Sequence, residues 1–342
     1  MILPWKLRRG PKLEDLDAQI AELTERNRRE RDPALAGRIL ELRHKAGIAL
    51  LNGSPNGSTR QPEPAFDLLR DHSPLPTVGP DELSAELLRA AMLTSGCLLV
   101  RGLVRDDEVA RLVEGIDRAY EARDSGGSAE GGFYEEFQPE SPFDIRYERA
   151  VVVGGAALLA ADSPRVTFDV LDAFERAGLG RLATAYVGER PAISAQKFLL
   201  RKVTPQVFDV STQRAGKKLS AWHQDGAFLG DVRALNVWLS LSRCGDVAPG
   251  MDIVPRRLDR IVPTGTEDAS HDWSASQAVA EEAAGEVGVM RPIFEPGDAL
   301  LFDELFLHST ASEPGMRETR YAVESWFFGP SRFPDRYAPL AF

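Results

Sequence analysis

The residues with the clearest chemical capacity are His223 and Asp225, within Leu219-Ser220-Ala221-Trp222-His223-Gln224-Asp225-Gly226, and His308, within Leu305-Phe306-Leu307-His308-Ser309-Thr310. In an extended strand successive side chains alternate faces, so His223 and Asp225 point the same way and can share one ion. Two imidazoles and one carboxylate on one side of an ion, with its other positions open, is the ligand set of non-haem iron(II) oxygenases. With five histidines and 52 acidic residues in 342, about one His-x-acid match is expected by chance, so the local spacing alone is a weak sign. The setting strengthens it. The polar His-Gln-Asp lies among Leu219, Trp222, Phe228 and Leu229, and His308 follows two apolar runs, Ala299 to Phe302 and Leu305 to Leu307, entered through the turn Pro296-Gly297-Asp298. On pattern alone, two edge-strand surface residues and an unrelated histidine fit as well.

Further segments follow in a set order: Ala221-Trp222-His223-Gln224-Asp225, Leu235-Asn236-Val237-Trp238-Leu239-Ser240-Leu241, Ala248-Pro249-Gly250-Met251-Asp252-Ile253-Val254-Pro255, Pro296-Gly297-Asp298, His308-Ser309-Thr310 and Arg320-Tyr321-Ala322-Val323. In order and spacing they resemble the phytanoyl-CoA dioxygenase family. The resemblance covers roughly residues 90 to 330, is strongest from 195 to 328, and is weak or absent over the first 80 residues. It implies a mainly β fold with flanking helices around a double-stranded β-helix (jelly-roll) core. It also implies an enzyme, a non-haem iron(II)/2-oxoglutarate-dependent dioxygenase, with iron(II), 2-oxoglutarate as cosubstrate, and O2.

On that resemblance His223, Asp225 and His308 are the metal ligands. The far carboxylate of 2-oxoglutarate needs a cation in a dry pocket, and arginine suits it because its guanidinium stays charged and pairs with carboxylate bidentately. The family's arginine heads the last barrel strand, which points to Arg320 before Tyr321-Ala322-Val323, with Arg317 as the fallback. Thr310 corresponds to a hydroxyl that also meets the cosubstrate carboxylate. Asn236, polar in an apolar strand, is either a cosubstrate donor or a buried amide satisfied by its neighbours. The implied reaction is oxidation of an aliphatic C–H of a small molecule with release of succinate and CO2. Related iron halogenases have a small residue where Asp225 stands, so hydroxylation, desaturation or ring closure is expected here, not halogenation. The alternative is a jelly-roll metal-binding protein without oxygenase activity, because fold does not fix function.

Composition sets outer bounds. A chain of 342 residues, 43% hydrophobic, can bury a large core in one or two domains. Its net charge of −11 and pI near 5.1 argue against nucleic acid or an anionic membrane as main partner, since both need a basic footprint. Cys97 and Cys244 cannot build a disulfide framework and read as small buried hydrophobes, which fits a cytoplasmic setting. The apolar stretch in Met1 to Arg9 is too short for a signal peptide, and no run of 18 apolar residues spans a membrane. Nothing in the sequence fixes the oligomeric state.

The remaining elements must position the site. Leu16, Ile20 and Leu23 repeat at helical spacing; after Asp32 as N-cap and Pro33 at the first helical position, Leu35, Ile39, Leu42 and Ala46 do the same. Residues 1–51 therefore read as an N-terminal helical hairpin, packing in cis. Residues 52–64 read as a linker or long loop, and 65–342 as the oxygenase domain with a helical N-terminal part. There, Pro80 opens a helix through Met92, Cys97 to Val100 is a buried strand, and Asp106 or Asp107 starts an amphipathic helix. Between Asp124 and Arg149, glycines beside Phe133, Tyr134, Phe137, Phe143 and Tyr147 suit either a mobile lid or a surface loop with anchoring rings. Ser163 and Pro164 begin a helix that stops near Gly178 and Gly180.

Barrel strands are expected from about Ile193. Alternation puts Gln196, Phe198 and Leu200 on one face and Lys197, Leu199 and Arg201 on the other, and only one face can line the site; Gln196 is the candidate cosubstrate contact. The Trp222 to Asp225 strand is expected to pair antiparallel with Ala234 to Leu241. His271, in an Ala-, Ser- and Glu-rich stretch, reads as loop surface. The basic pairs Arg201-Lys202, Lys217-Lys218 and Arg256-Arg257 are scattered, which favours a free small metabolite over a CoA ester as substrate.

Overall fold

The computed structural model describes residues 11–53, 60–69, 73–126, 131–154, 156–205, 213–214, 217–218, 220–266 and 268–342. The expectations for Met1 to Arg9, for the centre of the 52–64 linker, for Gly127, for Leu219 and for much of the turn from Thr212 to Lys218 lie outside the described residues.

The alternating and apolar runs become strands, in chain order β1 (Thr77–Val78), β2 (Cys97–Val100), β3 (Ala157–Leu159), β4 (Ala192–Val203), β5 (Gln213–Arg214), β6 (Lys217–Lys218), β7 (Ala234–Ser240), β8 (Gly250–Ile253), β9 (Ala299–Phe302), β10 (His308–Ala311), β11 (Arg320–Phe328) and β12 (Pro339–Ala341). One large sheet runs β1-β2-β9-β7-β11-β4-β12, with β3 also paired to β4. A second sheet pairs β10 with β8 antiparallel; His223 bridges to His308 on the other side of β10, Trp222 bridges to Ala275, and Ile253 bridges to Met290. From β4 onward the chain thus moves back and forth between the sheets: β4, then Trp222 and His223, then β7, then β8 and Met290, then β9, β10 and β11. That winding is the double-stranded β-helix core expected from the sequence. All of β7 is buried, because it is covered on both faces.

The antiparallel pairing of the Trp222–His223 ribbon with β7, expected from their proximity in sequence, does not form. β7 is flanked on its two sides by β11 and β9, so it has no edge left, and the ribbon joins the opposite sheet.

Helices cover the large sheet. α1 (Leu13–Glu30) and α2 (Pro33–Gly53) form the N-terminal hairpin, followed by α3 (Ala85–Ser95), α4 (Asp106–Asp124), α5 (Arg146–Gly154), α6 (Pro164–Arg176) and α7 (Leu179–Val187). Leu88, Met92, Leu112, Ile116, Phe174 and Tyr186 of these helices share one core with the strands. Pro80 to Glu82 is only a 3-10 turn; α3 starts later, because the Ser84 Oγ accepts from Leu87 N and caps it there. Ser163 precedes α6 without a side-chain capping bond. Gly178 takes a left-handed φ of 75° at the helix stop, whereas Gly180 lies inside α7.

The hairpin packs in cis. α2 lies on β12 and α6, and Gly47 permits the approach, since a Cβ there would stand 2.7 Å from the Pro339 carbonyl oxygen. Buried Arg43 donates to Ala341 O (2.9 Å) and Glu175 (2.6 Å), and Arg190 pairs with Asp17 (2.6 Å). α2 runs on through Asn52 and Gly53, the first two residues of the expected linker. Phe133 and Phe137 are buried in the main core, so the glycine-aromatic segment is anchored by its rings. No helix among the described residues is long and apolar enough to cross a membrane. Cys97 and Cys244 are buried free thiols.

Candidate metal centre

The two histidines are brought together by backbone pairing: His223 N donates to His308 O (2.9 Å) and His308 N donates to His223 O (3.0 Å). Asp225 is not in the strand. It adopts helical φ and ψ (−61°, −25°) at the start of the short helix Gly226–Leu229, and Gly226 N donates to Glu304 O at 2.8 Å. A Cβ on Gly226 would lie 3.0 Å from that carbonyl, which explains glycine after the aspartate. The carboxylate is therefore aimed by a strand-to-helix turn, and not by the period-2 alternation expected from the sequence.

One donor atom each from His223, Asp225 and His308 falls within 4.8 Å of the others. His223 Nε2 to Asp225 Oδ1 and His308 Nε2 to Asp225 Oδ2 are both 4.0 Å. Each ring is held by its other nitrogen: His223 Nδ1 lies 2.8 Å from Ala221 O and His308 Nδ1 lies 3.0 Å from Phe306 O. Those carbonyls fix the proton on Nδ1 and leave Nε2 as a free lone pair. Burial pushes His223 down to about 4, with nearby His308 adding to it, and burial pushes His308 down as well, so both rings are neutral at neutral pH. Burial raises the Asp225 carboxyl, opposed by His223, Lys197 and Arg201. Neutral imidazoles with a carboxylate are a donor set that suits a divalent transition metal.

Around the triad the structure places residues that the sequence did not assign to the site. Arg201 on β4 donates to Glu324 on β11 from Nε (2.9 Å) and Nη2 (2.7 Å). Lys197 Nζ lies 4.1 Å from the centre of the Phe228 ring. Trp273 sits edge-on to both His223 (5.4 Å) and Phe228 (5.3 Å), and exposed His271 stacks on Trp273 at 4.6 Å. Alternation along β4 already put Lys197 and Arg201 on one face; choosing between that face and the one with Gln196 needed the sheet.

Gln196 is a correction. Its amide is consumed in bracing the C-terminal segment, with Oε1 accepting from Ala338 N (2.8 Å) and Nε2 directed at the carbonyls of Arg336 and Asp144. Arg317 is exposed and donates to its neighbour's carbonyl, Met316 O, at 2.8 Å. Arg320 is 2% exposed. Its Nη1 donates to Gly250 O (3.0 Å), and among the described residues its Nε has no partner and it forms no ion pair with a carboxylate. Burial, with Arg201 nearby, pushes its pKa down to about 10. Gly250 is the register partner of Ala311, three residues along β10 from His308, so Arg320 points into the same inter-sheet space as the triad. Thr310, two residues after His308 on β10, shares its face.

Asn236 is 1% exposed and neither amide atom has a hydrogen-bond partner among the described residues. It stands in register between Phe302 and Trp326, whose Nε1 is also unpartnered, and the Phe302 ring is 4.8 Å from the His308 ring. Directly opposed cross-strand residues share a face, so Asn236 belongs to the row that faces His308.

No family model matches the chain, and no curated protein sequence does. Solved structures similar to it include the non-haem α-ketoglutarate-dependent carbocyclase SnoK from nogalamycin biosynthesis, with 15% identity over 74% of this chain and 86% of that one and a TM-score of 0.46. EctD from S. alaskensis with bound Fe shares 18% identity over 80% and 85% of the two chains, with a TM-score of 0.44. AviO1 from Streptomyces viridochromogenes Tue57 shares 16% over 72% and 96%, with a TM-score of 0.43.

Proposed function

We propose that this chain is an iron(II)- and 2-oxoglutarate-dependent dioxygenase that oxidises an aliphatic C–H of a small-molecule metabolite. His223, Asp225 and His308 are the residues that would hold iron(II), and Arg320, Thr310 and Asn236 those that would meet the cosubstrate. Bound there, iron(II) and 2-oxoglutarate would supply O2 activation coupled to release of succinate and CO2. The observation that carries this reading is Arg320: a buried guanidinium with no carboxylate partner among the described residues, in the space between the sheets that also holds the triad. A buried charge without a counter-charge is costly, and a carboxylate-bearing ligand removes that cost.

The chain's own contribution is positional. The Ala221 and Phe306 carbonyls orient the two imidazoles, Trp238 lies below Arg320 with its ring 5.9 Å from the guanidinium carbon, and the unpartnered Asn236 amide offers both a donor and an acceptor to a ligand. Because Asp225 is a full carboxylate, the reading is hydroxylation, desaturation or ring closure, and chloride should not enter the product. The test is O2-dependent formation of succinate from 2-oxoglutarate by the iron-loaded protein across a metabolite panel. No succinate above that of His308→Ala with any member would count against the proposal.

A further inference from the structure

The triad is open on one side. The His223 side chain is 22% exposed, whereas those of Asp225 and His308 are 5% and 9% exposed. His223 is thus the triad residue nearest the solvent and the one a substrate would meet first. The wall on the His223 side is aromatic: the Phe228 ring lies 6.4 Å from the His223 ring and Trp273 is edge-on to both. One cation stands in that wall. Lys197 Nζ lies 4.1 Å from the Phe228 ring centre and makes no hydrogen bond or ion pair among the described residues.

The acids around Lys197 are engaged elsewhere. Glu324 accepts from Arg201 Nε and Nη2, Asp225 is a metal ligand in the reading above, and Glu148 on α5 forms no ion pair with the ammonium. A half-buried ammonium against aromatic rings keeps part of its charge uncompensated, and an anion at that position restores the balance. A lone ammonium is a single point charge, which one carboxylate neutralises, whereas a doubly charged phosphate would leave one charge over.

We propose that Lys197 is a specificity residue that binds a carboxylate of the substrate, whose apolar or ring-bearing body lies on Phe228 and Trp273 beside His223. This rests on the dioxygenase reading, because that reading makes the His223 side the substrate side. The substrate class it names is a small organic acid with one free carboxylate and an oxidisable C–H a few bonds away.

The test uses full-length protein loaded without O2 with iron(II) and 2-oxoglutarate, titrated with phenylacetate, 3-phenylpropionate and 4-phenylbutyrate and with their neutral amides, while tryptophan fluorescence is recorded. Wild type should bind at least one acid tenfold or more tighter than its amide. Lys197→Met should lose that preference while still binding the amide, and Lys197→Arg should keep most of it. Equal binding of acid and amide by wild type, an unchanged preference in Lys197→Met, or no binding of any acid would overturn the assignment. Visible absorption from the iron-bound 2-oxo acid in the same samples reports on the dioxygenase reading separately. If it is absent, the titration of metal-free protein still decides the role of Lys197.

Discussion

His223 and His308, 85 positions apart in the sequence, are one rung of a β ladder: each donates its backbone N–H to the other's carbonyl, at 2.9 and 3.0 Å, and their rings lie 4.3 Å apart. Their spacing is set by main-chain pairing and not by the side chains. Removing one imidazole should leave the other in place. His223→Ala and His308→Ala are each expected to lose most iron(II) binding, with circular dichroism unchanged and Tm within about 5 °C of wild type. Stoichiometric iron in either variant would break the ligand assignment.

Arg320 should show opposite effects on ligand binding and on folding. Arg320→Met is expected to weaken 2-oxoglutarate binding by about 2 to 5 kcal/mol, the usual cost of stranding a buried charge partner. In ligand-free protein the same change removes an uncompensated buried charge, so Tm should hold or rise. Arg317→Met, at an exposed position, should change neither by much. Calorimetry showing the larger loss in Arg317→Met would move the anchor to that residue.

Asn236 gives a similar contrast with a neutral group. Both its amide atoms are buried and unpartnered, so Asn236→Leu should cost the ligand-free protein little stability. It should weaken cosubstrate or substrate binding by about 1.5 to 3 kcal/mol, the range for a hydrogen bond to a charged group. A large fall in Tm with unchanged ligand binding would make Asn236 a structural amide.

The hairpin brings a pH dependence of its own. His44 on α2 is held between Pro339 O, 2.9 Å from Nδ1, and Glu140 N, which donates to Nε2 at 3.0 Å. Both ring nitrogens are in use in the neutral form, and burial lowers the ring below its ordinary 6.5. The unfolded chain therefore takes up the proton first as pH falls. The stability that His44 contributes is present above 6.5 and is lost as pH drops from there toward the lower folded value. Between about pH 7.5 and 5.5 wild type should lose more Tm than His44→Gln; equal losses would contradict this.

Much of this was legible in the sequence because it lies in short-range pattern. β4, β7, β9 and β11 follow the apolar and alternating runs, Asp32 and Pro33 mark the start of α2, and Arg320 heads its strand as expected. What could not be read depends on which surface an element meets. Gln196 and Lys197 are neighbours in one strand, and only the packing of β12 shows that Gln196 serves the C-terminal segment. The partner of the Trp222–His223 ribbon depends on β7 being flanked on both sides, a property of the whole sheet. Trp273 lies in a stretch with no periodicity, and its place beside His223 follows from the Trp222–Ala275 bridge.

In the proposed site His223, Asp225 and His308 hold one iron(II) with positions left open for a chelating 2-oxo acid. An anaerobic titration of the purified protein with iron(II) and then 2-oxoglutarate, followed by visible absorption, tests this. One iron per chain is expected, with a charge-transfer band that appears only on adding 2-oxoglutarate, is absent in Asp225→Ala, and needs far more cosubstrate in Arg320→Met. Iron bound without that band, or the same band in Asp225→Ala, would contradict the account.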